Sequence, residues 1–242
     1  MISGYRLPAR LNRKIGQAMH DYSMFADGDR VLIAVSGGVD SLTLAGILGI
    51  WQRKAPIHFT LTAHHIDHGF WRTQDQALNP GTAIGRQVQR MGLPFAIDEE
   101  RTIAEGARTC FLCARNRRSQ LFDFARDNGY NKIALGHHKD DLIETLFLNT
   151  IYSGNISTMV PRQDLFGGTL SIVRPMAYLE KHEVVEIGAG LNLEPVKNLC
   201  PLSDDTRREK VRALLQKLYD DEAGAKNSIF AALANVRQDY LL

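Results

Sequence analysis

Six residues, Ser36-Gly37-Gly38-Val39-Asp40-Ser41, constrain the architecture of this chain more than any other segment. They follow Arg30-Val31-Leu32-Ile33-Ala34-Val35, a short apolar run with the length and branching of a buried strand. They precede a segment from Asp40 to Trp51 that sets Leu42, Ala45, Leu48 and Gly49 at helical spacing. Paired glycines let the backbone turn sharply and aim successive N–H groups at one point, and the next helix adds its positive end. The segment therefore predicts an anion cradle between a strand and a helix. Ser36 and Ser41 offer hydroxyls to phosphate oxygens, and Asp40 offers a carboxylate to Mg²⁺. The G-x-x-x-x-G-K-[ST] loop of common NTPases is absent, so no lysine of the turn grips a terminal phosphate. The alternative is a glycine turn without a ligand.

The rest of the chain repeats the alternation. Strands are expected at Phe59–Ile66, Pro94–Ile97, Lys132–Gly136 and Leu170–Arg174, with helices up to Met91, from Cys110 to Asn128, and from Asp140 to Tyr152. Strands alternating with helices predict right-handed crossovers and an α/β, doubly wound, parallel sheet. A basic helix over Leu11 to Phe25 precedes it, and Gly154 to Gly168 reads as loop. After Asp204-Asp205-Thr206 the tail reads as an amphipathic helix with Val211, Leu214, Leu215 and Leu218 on one face. Leu146, Phe147 and Ile151 are expected to face the core.

A length of 242 residues buries a core without staples, and a net charge of +2 says little about partners. Three cysteines, an odd count, argue against a disulfide scaffold and for a reducing, cytoplasmic setting. No apolar run approaches a membrane span, and Arg6, Arg10, Arg13 and Lys14 interrupt any secretory signal. Basic residues cluster at this N-terminus and again at Arg108, Arg115, Arg117 and Arg118, a pattern suited to RNA phosphates or to a solvated helix face.

Gly136-His137-His138-Lys139-Asp140-Asp141 ends the fourth strand and opens a helix, so Asp140 and Asp141 are either helix-dipole partners or magnesium and substrate ligands. Cys110 and Cys113 form C-x-x-C, and Cys200 lies far along the chain. Four readings compete: buried apolar cysteines, a zinc site recruiting a histidine, a redox dithiol, or a 4Fe-4S cluster on three thiolates with one iron open.

The hexapeptide resembles the S-G-G-x-D-S signature of the PP-loop ATP pyrophosphatases, and G-H-H-x-D-D is similar to their second motif. Cys110 to Arg118 resembles the C-x-x-C-x-R-x-R-R of tRNA 2-thiocytidine synthetases, as do Leu11 to Ser41, Lys132 to Asn149, Arg174 to Tyr178 and Asn198-Leu199-Cys200. The resemblance spans about Leu11 to Val236 and is weakest between Asp67 and Ile103. It implies a Rossmann-like, adenine nucleotide alpha hydrolase-like fold over residues 29–180, a basic helical segment over 1–28, and a helical extension over 181–242 carrying the third cysteine.

By the same resemblance, ATP and Mg²⁺ occupy Ser36, Gly37, Gly38, Val39, Asp40 and Ser41. Gly136 and the backbone at His65 and Ile66 border the nucleotide. Asp40, Arg117, Asp140 and Asp141 act in catalysis, and Cys110, Cys113 and Cys200 hold the cluster. The implied activity is thiolation of a tRNA cytidine, position 32. Expected partners are tRNA, a sulfur donor such as a cysteine desulfurase or free sulfide, and a second copy of the chain. Two departures stand out. Val39 replaces the lysine usual in relatives of this type, and His64 to Gly69 is similar instead to tRNA lysidine synthetases. Lysidine or 2-thiouridine synthesis with a zinc or redox cysteine site, and a non-catalytic nucleotide sensor, are the competing expectations.

Overall fold

The computed structural model describes residues 4–73, 79–103, 108–197, 199–200 and 207–240. Its strands are β1 (Arg30–Ala34), β2 (Thr60–Asp67), β3 (Phe95–Glu99), β4 (Lys132–Ala134), β5 (Arg162–Leu165) and β6 (Leu170–Val173), in the sheet order β3-β2-β1-β4-β6-β5. All neighbours pair in parallel except β5 and β6. The α/β class and the parallel core match expectation. The strand β5 corrects the reading of Gly154 to Gly168 as loop. It is short, polar and at the edge, where charged side chains deter further pairing: Arg162 Nε donates to Asp164 Oδ1 at 2.9 Å.

Strand order reverses between β1 and its two neighbours, β2 and β4, which opens a crevice at their carboxyl ends. The loops after β1 and β4, bearing Ser36 and Gly136, flank that crevice. The helices are α1 (Ala9–Asp21), α2 (Val39–Gln52), α3 (Pro80–Arg90), α4 (Cys110–Asp127), α5 (Lys139–Ser153), α6 (Lys181–Gly190), α7 (Arg207–Asp221) and α8 (Ala225–Ala232). Among the described residues no helix is long and apolar enough to cross a membrane.

The chain divides into two compact units. The first comprises Met1–His138 and Pro161–Leu202, the second Lys139–Val160 and Ser203–Leu242. These limits differ from a sequence division at 28 and 180. In the first unit, α1 sends Leu11, Ile15 and Ala18 into the core shared with α2 and α6. Full burial of a large aliphatic side chain contributes about 1.5–3 kcal/mol. Residues 181–200 likewise belong to this unit, because α6 lies along α2. Gly188 and Gly46 permit that approach: a Cβ on Gly188 would stand 3.0 Å from Val39 Cγ2 and Thr43 Oγ1, and one on Gly46 would stand 2.5 Å from Leu191 Cδ1.

In the second unit, Ile143 of α5 packs with Val211 and Leu215 of α7, joined by Phe147 and by Ile229 and Phe230 of α8. Only part of the expected tail face is buried. Leu214 is 50% and Leu218 39% exposed, and Ile151 is 50% exposed rather than core-facing. The stripe covered by α5 and α8 is narrower than the apolar face, so one row of leucines is left at the surface. Asp204, Asp205 and Thr206 lie outside the described residues.

Candidate active site

Gly37 takes a left-handed φ of 89°, a conformation that favours glycine. A Cβ there would meet Ile84 Cδ1 at 2.8 Å. Gly38 caps α2 without a side-chain hydrogen bond, so the helix start presents backbone N–H groups to the turn. Ser41 Oγ accepts from Ser36 N at 3.1 Å and donates to Gly38 O at 3.0 Å, tying the loop across its mouth. Val196 N donates to Gly37 O at 2.9 Å and holds the turn from outside. Gly136 abuts the same turn, since a Cβ there would lie 3.1 Å from the backbone of Asp40 and Ser41. At Gly37 and Gly136, glycine thus lets the turn pack closely against Ile84 and against the segment after β4.

Two side chains of the turn face elsewhere than a phosphate. Val39 points towards Gly188 of α6. Asp40 is held by Lys181, the first residue of α6, whose Nζ lies 2.6 Å from Oδ1 and 2.8 Å from Oδ2. His138 Nε2 stands 3.9 Å from the same carboxylate. Behind it, buried Arg174 donates from Nε to His137 Nδ1 at 3.2 Å, joining the Arg-Pro segment to the end of β4. Burial lowers the pKa of Arg174 to about 10, which leaves it charged at neutral pH.

A cavity of about 440 Å³ begins at Ser36 and Gly38 and continues past His65, Asp67, Trp71 and Arg117 to Cys110, Cys113 and Cys200. All of these residues belong to the first unit. The volume falls in the range of small-molecule pockets. The structure brings together three sequence-distant features: the turn, the C-x-x-C pair and the third cysteine. Cys110 and Cys113 occupy the first turn of α4, whose N-cap Thr109 accepts from Leu112 N at 3.2 Å. Among the described residues no three His, Cys, Asp or Glu side chains converge as ligands of a single ion.

Arg117 lies one turn beyond Cys113 and keeps access to solvent. Desolvation lowers its pKa, while Glu100 and Cys113 favour its charge, and a guanidinium starting so high stays protonated at neutral pH. His65 is buried, and its Nδ1 lies 2.8 Å from the carbonyl of Val35. A carbonyl only accepts, so Nδ1 carries the proton. Burial lowers the pKa of His65 and keeps the ring neutral, against the opposing pull of that hydrogen bond and of Asp67. Ile66 turns its side chain into a separate core cluster with Leu32 and Leu121, and it pairs with Asp98 of β3 near the carboxyl end of β2.

Asp140 and Asp141 stand in the first turn of α5, within the second unit. Lys226 Nζ lies 2.8 Å from Asp140 Oδ1, and Arg208 Nη1 lies 3.5 Å from Asp141 Oδ1. The basic N-terminus is in part an internal device. Arg10 and Lys14 pair with Glu183 of α6 at 3.0 Å and 2.9 Å, so these two charges are not laid out for RNA alone. Sequence reasoning missed Lys181 and Glu100. Lys181 follows a helix-capping Glu180, a faint signal, and Glu100 is one of several acids after β3.

A parallel sheet bearing this glycine turn after its first strand defines the PP-loop class of α/β proteins, and the family model of the PP-loop domain matches residues 7–218. Two curated relatives are tRNA-cytidine(32) 2-sulfurtransferases. That of Chromohalobacter salexigens is 35% identical over 98% of this chain and 84% of its own length. That of Marinomonas sp. is 37% identical over 98% and 85%. The chain belongs to this 2-sulfurtransferase family of PP-loop proteins. Among solved structures, the U34-tRNA thiolase NcsA from Methanococcus maripaludis with its [4Fe-4S] cluster superposes with a TM-score of 0.76 at 21% identity, covering 96% of this chain and 80% of that one. NAD+ synthetase from Burkholderia pseudomallei gives 0.50 at 14% identity, over 94% and 92%. Both likenesses concern the fold.

Proposed function

We propose that this chain is a cytoplasmic ATP- and 4Fe-4S-dependent tRNA thiolase that converts cytidine 32 to 2-thiocytidine. The observation that carries the proposal is the single cavity lined at one end by the phosphate turn and at the other by three cysteines. The cytidine O2 attacks the α-phosphorus of ATP, pyrophosphate leaves, and sulfide then displaces AMP from C2. The turn's N–H groups and Ser36 and Ser41 hold the phosphates, and Lys181 adds the positive charge that Val39 does not supply. Asp40 offers oxygen ligands suited to the Mg²⁺ that accompanies ATP. Arg117 faces the developing negative charge on the base.

The donor set fits a cluster. Three cysteine thiols lining one cavity are a donor set suited to an iron–sulfur cluster. A cluster on Cys110, Cys113 and Cys200 supplies one iron open to sulfide. For Asp140 and Asp141, a role in positioning the adenylated base rests on family resemblance. A base enters such a pocket only after leaving its stack.

Anaerobic reconstitution with iron and sulfide, followed by reaction with ATP, a sulfide source and tRNA lacking thiolation, tests the proposal. The expected result is about four irons per chain and 2-thiocytidine on nucleoside analysis. Formation of 2-thiouridine or lysidine instead, or a zinc-loaded colourless protein with full activity, overturns it.

A further inference from the structure

Next to the cavity residues His68, Phe70 and Cys113 lies a charged network that the reaction above does not use. Glu100, directly after β3, has a side chain only 3% exposed. Its Oε2 lies 2.8 Å from Arg108 Nη1, and its Oε1 lies 2.9 Å from His68 Nδ1. Arg108 and His68 thus approach the carboxylate at its two different oxygens. The ends of β2 and β3 fix the two acid-side partners, since Glu100 N donates to Asp67 O at 2.8 Å. The Arg108 guanidinium also rests over the Phe70 ring at 4.9 Å, and the His68 ring stacks on Phe70 at 5.8 Å.

Arg108 Nη1 carries two N–H bonds. One faces the carboxylate, and the nitrogen also donates to Cys113 Sγ at 3.5 Å. A buried carboxylate and an aromatic face thus hold one arginine against one of the three thiols. Hydrogen bonds from a cation to a ligating sulfur withdraw charge from it and favour the more reduced state of an attached centre.

We propose that Arg108 is a positioning residue for Cys113, fixed in place by Glu100, and that its N–H to sulfur sets both the retention and the reduction potential of the cluster. The inference rests on the cluster reading given above.

Four proteins test it: wild type, Arg108→Gln, Arg108→Lys and Glu100→Gln, each reconstituted anaerobically. The measurements are the potential by spectroscopic titration, the rate of iron loss to a chelator, and ATP affinity before reconstitution. Arg108→Gln should keep ATP affinity within about twofold, and its cluster should either reduce at a more negative potential or lose iron several-fold faster. Glu100→Gln should move the same quantities less, and Arg108→Lys should recover part of the loss. Unchanged potential and chelation rate in Arg108→Gln overturn the inference, as does a parallel loss of ATP affinity, which would mark a general structural role. A wild type that takes up no iron instead removes the cluster reading itself, and the inference with it.

Discussion

Lys181 Nζ bridges both carboxylate oxygens of Asp40 at 2.6 Å and 2.8 Å, setting a cation from α6 on a glycine turn that has no lysine of its own. The root of Lys181 is fixed by the Glu180–Glu183 capping box and by the packing of α6 along α2. Its side chain is half exposed, and in the proposed reaction it serves the phosphates of ATP. Lys181→Ala should raise the KM for ATP about ten- to hundredfold, the loss of one charge-assisted contact of about 1.5–3 kcal/mol. Lys181→Arg should lie within a few-fold of wild type. Asp40→Ala should lose turnover altogether. Pyrophosphate release as a function of ATP, with tRNA present, measures all three.

Gly136→Ala should damage the same turn from the opposite side. The new methyl would press on main-chain atoms of Asp40 and Ser41 at 3.1 Å, and backbone cannot swing aside as a side chain can. Overpacking of this kind costs about 1–3 kcal/mol. The melting temperature should fall by several degrees, and ATP affinity should fall further than that loss accounts for. Calorimetry with and without nucleotide separates the two effects.

Replacing Cys200 with serine should release the cluster while leaving the nucleotide end of the cavity intact. The variant should lose most of its iron and all thiolation, yet bind ATP like wild type. Full iron and activity in Cys200→Ser would show that the trio is misassigned. Iron assay and equilibrium dialysis with ATP decide it.

Buried neutral histidines give this protein an acid limit. Burial lowers the pKa of His65 and also of His64, whose bond to Asp98 at 3.0 Å opposes the shift. Both rings take up protons more readily unfolded, so stability is fully present above the ordinary histidine pKa of about 6.5. It is lost progressively as pH falls below that value, towards the lower folded pKa. Unfolding in urea between pH 7.5 and pH 5 should show this decline, and His65→Asn should flatten part of its slope.

Much of the fold was legible because burial on both faces of a parallel sheet writes continuous apolar runs such as Val31 to Val35. Strand β5 escaped because Arg162-Gln163-Asp164 carries no apolar alternation and lies between glycine-bearing segments. The extra leucines of α7 misled because periodicity reports which residues share a face, while the width of the covering helices decides how many are buried. At the site, the turn and the cysteines were readable as local patterns. Lys181, Glu100 and the partnership of Arg10 and Lys14 with Glu183 were not, since each depends on contacts between segments distant in sequence.

The glycine-mediated seam between α2 and α6 has a mechanical consequence. With Leu191 seated over Gly46 and Val39 seated over Gly188, the two helices cannot slide or roll without steric collision. The anion-binding turn, fixed to the start of one of them, is preorganised before nucleotide arrives. Accommodation is then left to flexible side chains rather than to the loop.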